Sequence, residues 1–248
     1  MNRALLCEGC GYEIGGLPTG GACPECGRAV AKSLPSARRG SPWQQRMSLF
    51  YLAETNWAAL RRPHELFASV RPRWRTGAAL LAVNCVMAAM MLVAPWSGVF
   101  IGDPLRGAAA RGDASAALWV VPLQVLGVSA LLAGLTALEW AGIQLVAKHR
   151  GWRLLPAAAW EVCAHASVGW VLMGGLMWLS LAVWLNVSLF VPGIRMGRDG
   201  VLMFGVPAFG LAAGLLVFEW LVWVGARACR FANAAEAAPA APTAATAA

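Results

Sequence analysis

Four long apolar stretches leave this chain few folds to choose from. They run over roughly 77–101, 116–147, 157–191 and 201–226. Each matches or exceeds the length of about 20 residues that an α-helix needs to cross the hydrocarbon of a bilayer. There the backbone finds no water to bond, and a helix satisfies its polar groups internally. Composition agrees. Only 13% of the residues are charged, against about 25% in a soluble domain. The chain carries 13 Trp and its mean hydropathy is +0.59. The expected fold is mainly α: a transmembrane bundle of about four spans, preceded by a small cysteine module and an amphipathic helix. The third stretch is too long for one straight span. Either 157–164 lies at the interface or Gly174-Gly175 marks a break, and a five-span arrangement is the alternative.

Charge sets the expected orientation. The formal net charge is +8, and residues 1–76 hold 11 Lys/Arg against 5 Asp/Glu. Loop 102–115 balances Arg106 and Arg111 with Asp103 and Asp113. Loop 148–156 carries Lys148, Arg150 and Arg153 without an acid, and loop 192–200 carries Arg195, Arg198 and Asp199. Basic residues mark the cytosolic side of membrane helices, so both termini are expected in the cytosol, with the spans in the inner membrane. "MNRALLCEGC" offers a four-residue apolar stretch where a cleavable signal needs about 7–15. A basic segment also suits nucleic acid, but the Arg residues crowd toward the first span.

The polar front of the chain contrasts with the rest. Cys7, Cys10, Cys23 and Cys26 form two CxxC pairs, each followed by glycine (Gly11, Gly27). Such knuckles turn tightly around a metal, and glycine permits the positive φ of the turn. Four sulfurs give closed tetrahedral coordination, the pattern of one structural Zn²⁺. Iron–sulfur ligation shares the spacing. Disulfides need an oxidising compartment, and haem attachment needs a His after the second Cys, which is missing here. A segment of this size buries too little to fold alone, so the metal is expected to supply the folding energy.

The pattern Cys10-Gly11-Tyr12, Gly16-Leu17-Pro18, Cys23-Pro24-Glu25-Cys26-Gly27 resembles the short zinc ribbons at the N-termini of many bacterial membrane proteins. That resemblance covers about 22 residues. It implies one ion on the four cysteines and a docking module without catalysis. Further on, Arg62-Pro63, Phe67 and Ala164-His165-Ala166-Ser167 resemble segments of the Yip-type multispanning membrane proteins, with His where that family has Tyr. This second resemblance implies five spans and a non-enzymatic membrane role.

The expected domains follow: ribbon 1–30, linker 31–41, amphipathic interfacial helices 42–76, transmembrane domain 77–230 and a disordered tail 231–248. Ser41-Pro42 reads as a helix start. Trp43, Met47, Phe50, Trp57 and Leu60 follow at helical spacing, and Pro63 marks the end. Arg61, Arg62, Arg71, Arg73 and Arg75 then fit anionic lipid headgroups. The same stripe also suits packing onto the protein's own bundle.

Segments 131–150 and 211–230 align without gaps and share seven of twenty residues, including Glu139-Trp140 and Glu219-Trp220. The alignment raises a duplicated hairpin as an expectation. Asn84, Glu139, Glu161, His165 and Glu219 form the candidate intramembrane polar site, with Gln124 and Asn186 as further polar positions. Ionisable residues in a membrane are costly and call for a role. No nucleophile–base set or phosphate loop is evident, and "HEL" at His64–Leu66 lacks the second His of a zinc protease. The expected function is a non-enzymatic membrane protein whose ribbon docks a protein partner or its own membrane part. A small transporter using the polar site is the alternative. Nucleic-acid binding is disfavoured because Tyr12 is the ribbon's one aromatic.

Overall fold

The computed structural model describes the backbone of residues 4–96, 114–190 and 200–233. The loop charges at 103–113 and 195–199 and the tail from 234 lie outside these residues, as does the side chain of Asn186. Among the described residues the chain is mainly helical and has no strands. Two 3-10 turns, Val30–Ser33 and Pro35–Ala37, precede three short helices: α1 (Pro42–Gln45), α2 (Leu49–Arg61) and α3 (Pro63–Ser69). Five longer segments follow: α4 (Trp74–Trp96), α5 (Ala114–His149), α6 (Pro156–Ala166), α7 (Val168–Phe190) and α8 (Gly200–Cys229). Among the described residues, four stretches are long and apolar enough to cross a membrane: Trp74–Val93, Trp119–His149, Pro156–Ser180 and Ala208–Cys229.

The contacts divide the chain into two compact units. One comprises Met1–Thr76, Trp140–Val162 and Val224–Ala248, and the other Gly77–Glu139 and Cys163–Trp223.

In the first unit, Ser41 caps α1 with a full capping box: its hydroxyl accepts from Gln44 N, and the Gln44 side chain accepts from Ser41 N. The helix does not run on to Pro63 as the spacing suggested. Arg46 is extended, and Ser48 caps a new helix by accepting from Tyr51 N. The break lets α1 fold back, so that Trp43 N donates to Thr55 Oγ1 at 2.8 Å. It also changes the packed face. α2 buries Leu52, Thr55 and Ala59, while Met47, Phe50 and Trp57 are exposed.

Three tryptophans, Trp74, Trp140 and Trp160, meet with ring centroids 5.8, 5.8 and 6.3 Å apart. The indole N–H of Trp140 donates to Pro156 O, and that of Trp160 to Trp74 O. Tryptophan rings are enriched at membrane–water interfaces.

In the second unit, small residues let helices approach closely, the usual device where lipid and side chains are equally apolar. A Cβ on Gly214 would clash with Met173 Cβ, and one on Gly169 would lie 2.7 Å from Phe218 Cβ. Trp170 stacks on Phe218 at 4.3 Å and donates its N–H to Thr136 Oγ1. The expected irregularity in the third apolar stretch falls at Ser167, between α6 and α7. Gly174 stays helical and packs against Ala88.

The aligned segments 131–150 and 211–230 do not occupy equivalent surroundings. Leu132, Thr136, Ile143 and Ala147 are buried in α5, but their counterparts Ala212, Leu216, Trp223 and Arg227 are exposed. Phe218, Leu221 and Val222 are buried in α8, while Leu138, Ala141 and Gly142 are exposed. Identity at Glu-Trp does not extend to the packed face, which argues against a duplicated hairpin.

The paired glycines test this asymmetry. Gly214→Ala should cost about 1–3 kcal/mol, because Met173 leaves no room for a methyl group. Gly134→Ala, with nothing within 4 Å of the added atom, should be neutral or stabilising by up to about 1 kcal/mol. Thermal unfolding of detergent-purified protein distinguishes the two.

Candidate metal centre

The two CxxC segments fold as near-copies of one another. In the first, Cys7 N donates to Tyr12 O and Gly11 N to Cys7 O, both at 2.8 Å. In the second, Cys23 N donates to Arg28 O at 2.8 Å and Gly27 N to Cys23 O at 2.9 Å. Gly11 and Gly27 take φ of 84° and 71°, which only glycine adopts freely. Single antiparallel bridges, Leu6 with Glu13 and Ala22 with Ala29, close the knuckles. Each is a hairpin reduced to its minimum. The module's apolar core is Cys7, Ile14, Cys23 and Val30, with Leu5 and Leu17 packed against it.

The knuckles bring the four sulfurs within 4.8 Å of one another. Cys7 Sγ lies 3.5 Å from Cys26 Sγ, and Cys10 Sγ lies 3.6 Å from Cys23 Sγ. A tetrahedral ion with metal–sulfur bonds of about 2.3 Å needs sulfurs about 3.8 Å apart, so the set fits a metal ion. Cys7 and Cys23 are buried and Cys10 and Cys26 exposed, so the cluster sits at the module's surface.

The electrostatics point the same way. Burial opposes a charge on Cys7, but the backbone N–H groups of Cys10 and Gly9, with the thiols of Cys26 and Cys23, bring its pKa down to about 6. At Cys10 the Tyr12 backbone favours the thiolate, yet burial and the three neighbouring thiols push the pKa up to about 12. Cys26 is also raised: the Arg28 backbone pulls it down, but Cys7 and burial prevail. The cluster accepts one negative charge readily and resists the next. A central cation is what allows all four to ligate.

Residues outside the CxxC pairs hold the module in place. Ser33 Oγ accepts from Glu8 N at 3.1 Å and points at Cys7 Sγ, 4.0 Å away. Glu8 pairs with Arg38, Nε to Oε1 at 2.9 Å and Nη2 to Oε2 at 3.2 Å, with both side chains buried. Arg38 also donates to the carbonyls of Phe67 (3.0 Å), Val70 (2.9 Å) and Ala228 (3.4 Å). These carbonyls lie at the C-terminal ends of α3 and α8, where helices have acceptors without internal donors.

The stretch 31–41, expected as a linker, is therefore a fitted strap, with Ser33, Arg38, Gly40 and Ser41 buried. Residues 231–233, expected as the start of the tail, are packed onto the module. Asn233 accepts from Leu6 N at 3.0 Å and donates to Leu6 O and Ser33 O, both at 2.7 Å. Arg230 donates to Gly9 O at 2.6 Å, and Phe231 lies against Gly11. The module thus sits on the end of α8. Sequence reasoning missed Glu8, Ser33, Arg38, Arg230 and Asn233, because polar residues in a basic or alanine-rich context carry no local sign of a distant partner.

The intramembrane polar residues divide. Asn84, Glu161 and His165 are buried, Glu139 is half-buried and Glu219 is exposed. Thr76 Oγ1 donates to Glu161 Oε1 at 2.6 Å, and Asn84 Nδ2 donates to Ser167 Oγ at 2.9 Å. These bonds tie neighbouring helices together. Glu139 and Glu219 lie close enough for their charges to interact. The described residues of the second unit line an open cleft of about 880 Å³, formed by Leu92, Val128, Leu132, Trp170 and Leu215, with Gln124 among them.

No family model matches this chain, and neither a curated protein nor a solved structure matches it.

Two outcomes follow from the geometry. Metal binding at neutral pH should release about two or more protons per ion, since Cys10 and Cys26 lie above their ordinary range. Calorimetry in buffers of different ionisation enthalpy reads this directly. Arg38→Met should cost roughly 3–5 kcal/mol by leaving Glu8 buried without its cation. Adding Glu8→Gln should recover part of the loss, a coupling that a double-mutant cycle measures.

Proposed function

We propose that this chain is a non-enzymatic integral protein of the cytoplasmic membrane. Its N-terminal module is a zinc ribbon that clamps the cytosolic ends of its own membrane helices. The observation that carries this reading is the buried connection from Glu8 through Arg38 to the carbonyls of Phe67, Val70 and Ala228, reinforced by Asn233. A module built only to meet a partner has no need of such a tether. Four thiolates in a closed set favour zinc in a structural role, with no coordination position left for a substrate.

Orientation is part of the proposal. The first unit collects the ribbon, the Arg residues ahead of α4, the loop with Lys148, Arg150 and Arg153, and the end of α8 with Arg227 and Arg230. Basic segments gathered in one unit support a common cytosolic side, hence an even number of spans. The non-enzymatic reading draws support from the buried polar residues, which bond between helices at Thr76–Glu161 and Asn84–Ser167. The transport alternative has less behind it, since the walls of the open cleft are almost all hydrocarbon, with Gln124 the exception named above.

Purified protein should contain one zinc per chain by elemental analysis, and Cys23→Ser should abolish it. Iron with acid-labile sulfide in place of zinc would overturn the ribbon assignment. In the same variant, limited proteolysis should release the first 40 residues or so while the spans stay protected, because their backbone bonding is internal. Accessibility labelling should place residues 39 and 150 on one side of the membrane and 108 and 196 on the other.

A further inference from the structure

The two faces of α2 are the reverse of what a soluble helix shows. Its buried line consists of Leu52, Thr55 and Ala59, packed toward α1 and α3. At 100° per residue, Phe50, Trp57 and Arg61 fall on the opposite line. Phe50 is 73% exposed and Trp57 60%, and the flanking Leu49 is 81% exposed and Met47 62%. The largest apolar side chains thus point away from the protein. Among the described residues of the first unit, nothing covers this outer face.

The position of the helix identifies what meets this face. Thr55 on α2 accepts from Trp43 N, and the Trp43 indole donates to Thr76 O at 3.0 Å. Gln44 reaches Arg71 O at 2.8 Å and Thr76 Oγ1 at 3.4 Å. Thr76 lies in the first turn of α4, two residues after Trp74, whose ring joins Trp140 and Trp160. All these residues belong to the first unit. Two hydrogen bonds therefore link α2 to the first turn of the first span, beside a tryptophan cluster of the kind enriched at membrane–water interfaces. The charges match such a level. Arg61 sits over the Trp57 ring, 5.2 Å from its centroid, and Arg46 and Arg62 are exposed at the two ends. Glu54 is the acid on the outer side.

We propose that the outer face of α2 is seated in the interfacial layer of the bilayer, with Phe50 and Trp57 among the upper acyl segments and Arg46 and Arg61 at phosphate headgroups. The inference rests on the membrane reading above and deepens it: a single stripe becomes an oriented anchor. Trp57 supplies an apolar body, and the Arg61 guanidinium stacked on its ring keeps its remaining N–H donors for phosphate.

The test uses the full chain in vesicles of zwitterionic phospholipid with a quarter anionic lipid. A nitroxide is attached through a keto amino acid, one position at a time: Phe50→p-acetylphenylalanine, then the same replacement of Trp57, of Glu25 in the ribbon and of Leu216 in a span. Collision with lipid-soluble oxygen should exceed collision with a water-soluble nickel chelate at 50, 57 and 216, with the reverse at 25. Arg61→Glu should move the label at 50 toward water in the anionic vesicles. Water exposure at 50 and 57 with lipid exposure at 216 overturns the anchor and gives the face to a soluble partner. Water exposure at 216 as well overturns the membrane reading beneath it.

Discussion

The burial of Arg38 is the interaction on which the first unit depends. A guanidinium is always charged, and it cannot leave water without several acceptors. Here it finds a carboxylate at Glu8 and three carbonyls from two helix ends. One side chain meets the cysteine module, α3 and α8 together. Each contact answers a need of its own partner: the Glu8 side chain is buried beside Cys7, and helix C-termini carry a partial negative charge. The arrangement costs desolvation, which is why its loss destabilises more than its presence stabilises.

The four-sulfur cluster and the tether address the same weakness. A module whose core is Ile14, Val30 and two cysteines buries too little surface to hold a fold. A metal on the four sulfurs would close it from within, and Asn233, Arg230 and Arg38 hold it from outside. Asn233 acts like a short piece of strand, bonding both the N–H and the carbonyl of Leu6. Phe231 fits because residue 11 is glycine, the residue its φ also requires. Backbone geometry and docking thus select the same amino acid.

In the membrane part, packing rests on small residues and a few polar pairs. Where lipid is as apolar as the side chains, close approach and interhelical hydrogen bonds provide the specificity. Gly214 against Met173 is an approach of the first kind, and Asn84 with Ser167 a bond of the second. Gly134 occupies the aligned position in α5 with open space around it. Identical letters can therefore serve packing in one helix and nothing in another.

Spans, knuckles and the Ser41 cap were legible in the sequence because each is a local rule: a run of apolar residues, a CxxCG turn, a short motif whose partners lie within four residues. The face that α2 turns outward was not legible. Its stripe is the same whether lipid or protein meets it, and the break at Arg46–Ser48, with Trp43 folded onto Thr55, decides which residues are buried. The strap at 31–41 and the start of the tail also escaped, since Arg38 and Asn233 find partners as many as 190 and 227 residues away. The sequence by itself determined that the chain has membrane helices and a four-sulfur cluster, because hydrophobic length and ligand spacing act over short distances. Only the tertiary structure decided what that cluster is fastened to, because the bonds of Arg38 to Ala228 and of Asn233 to Leu6 form when the two ends of the chain arrive at the same place.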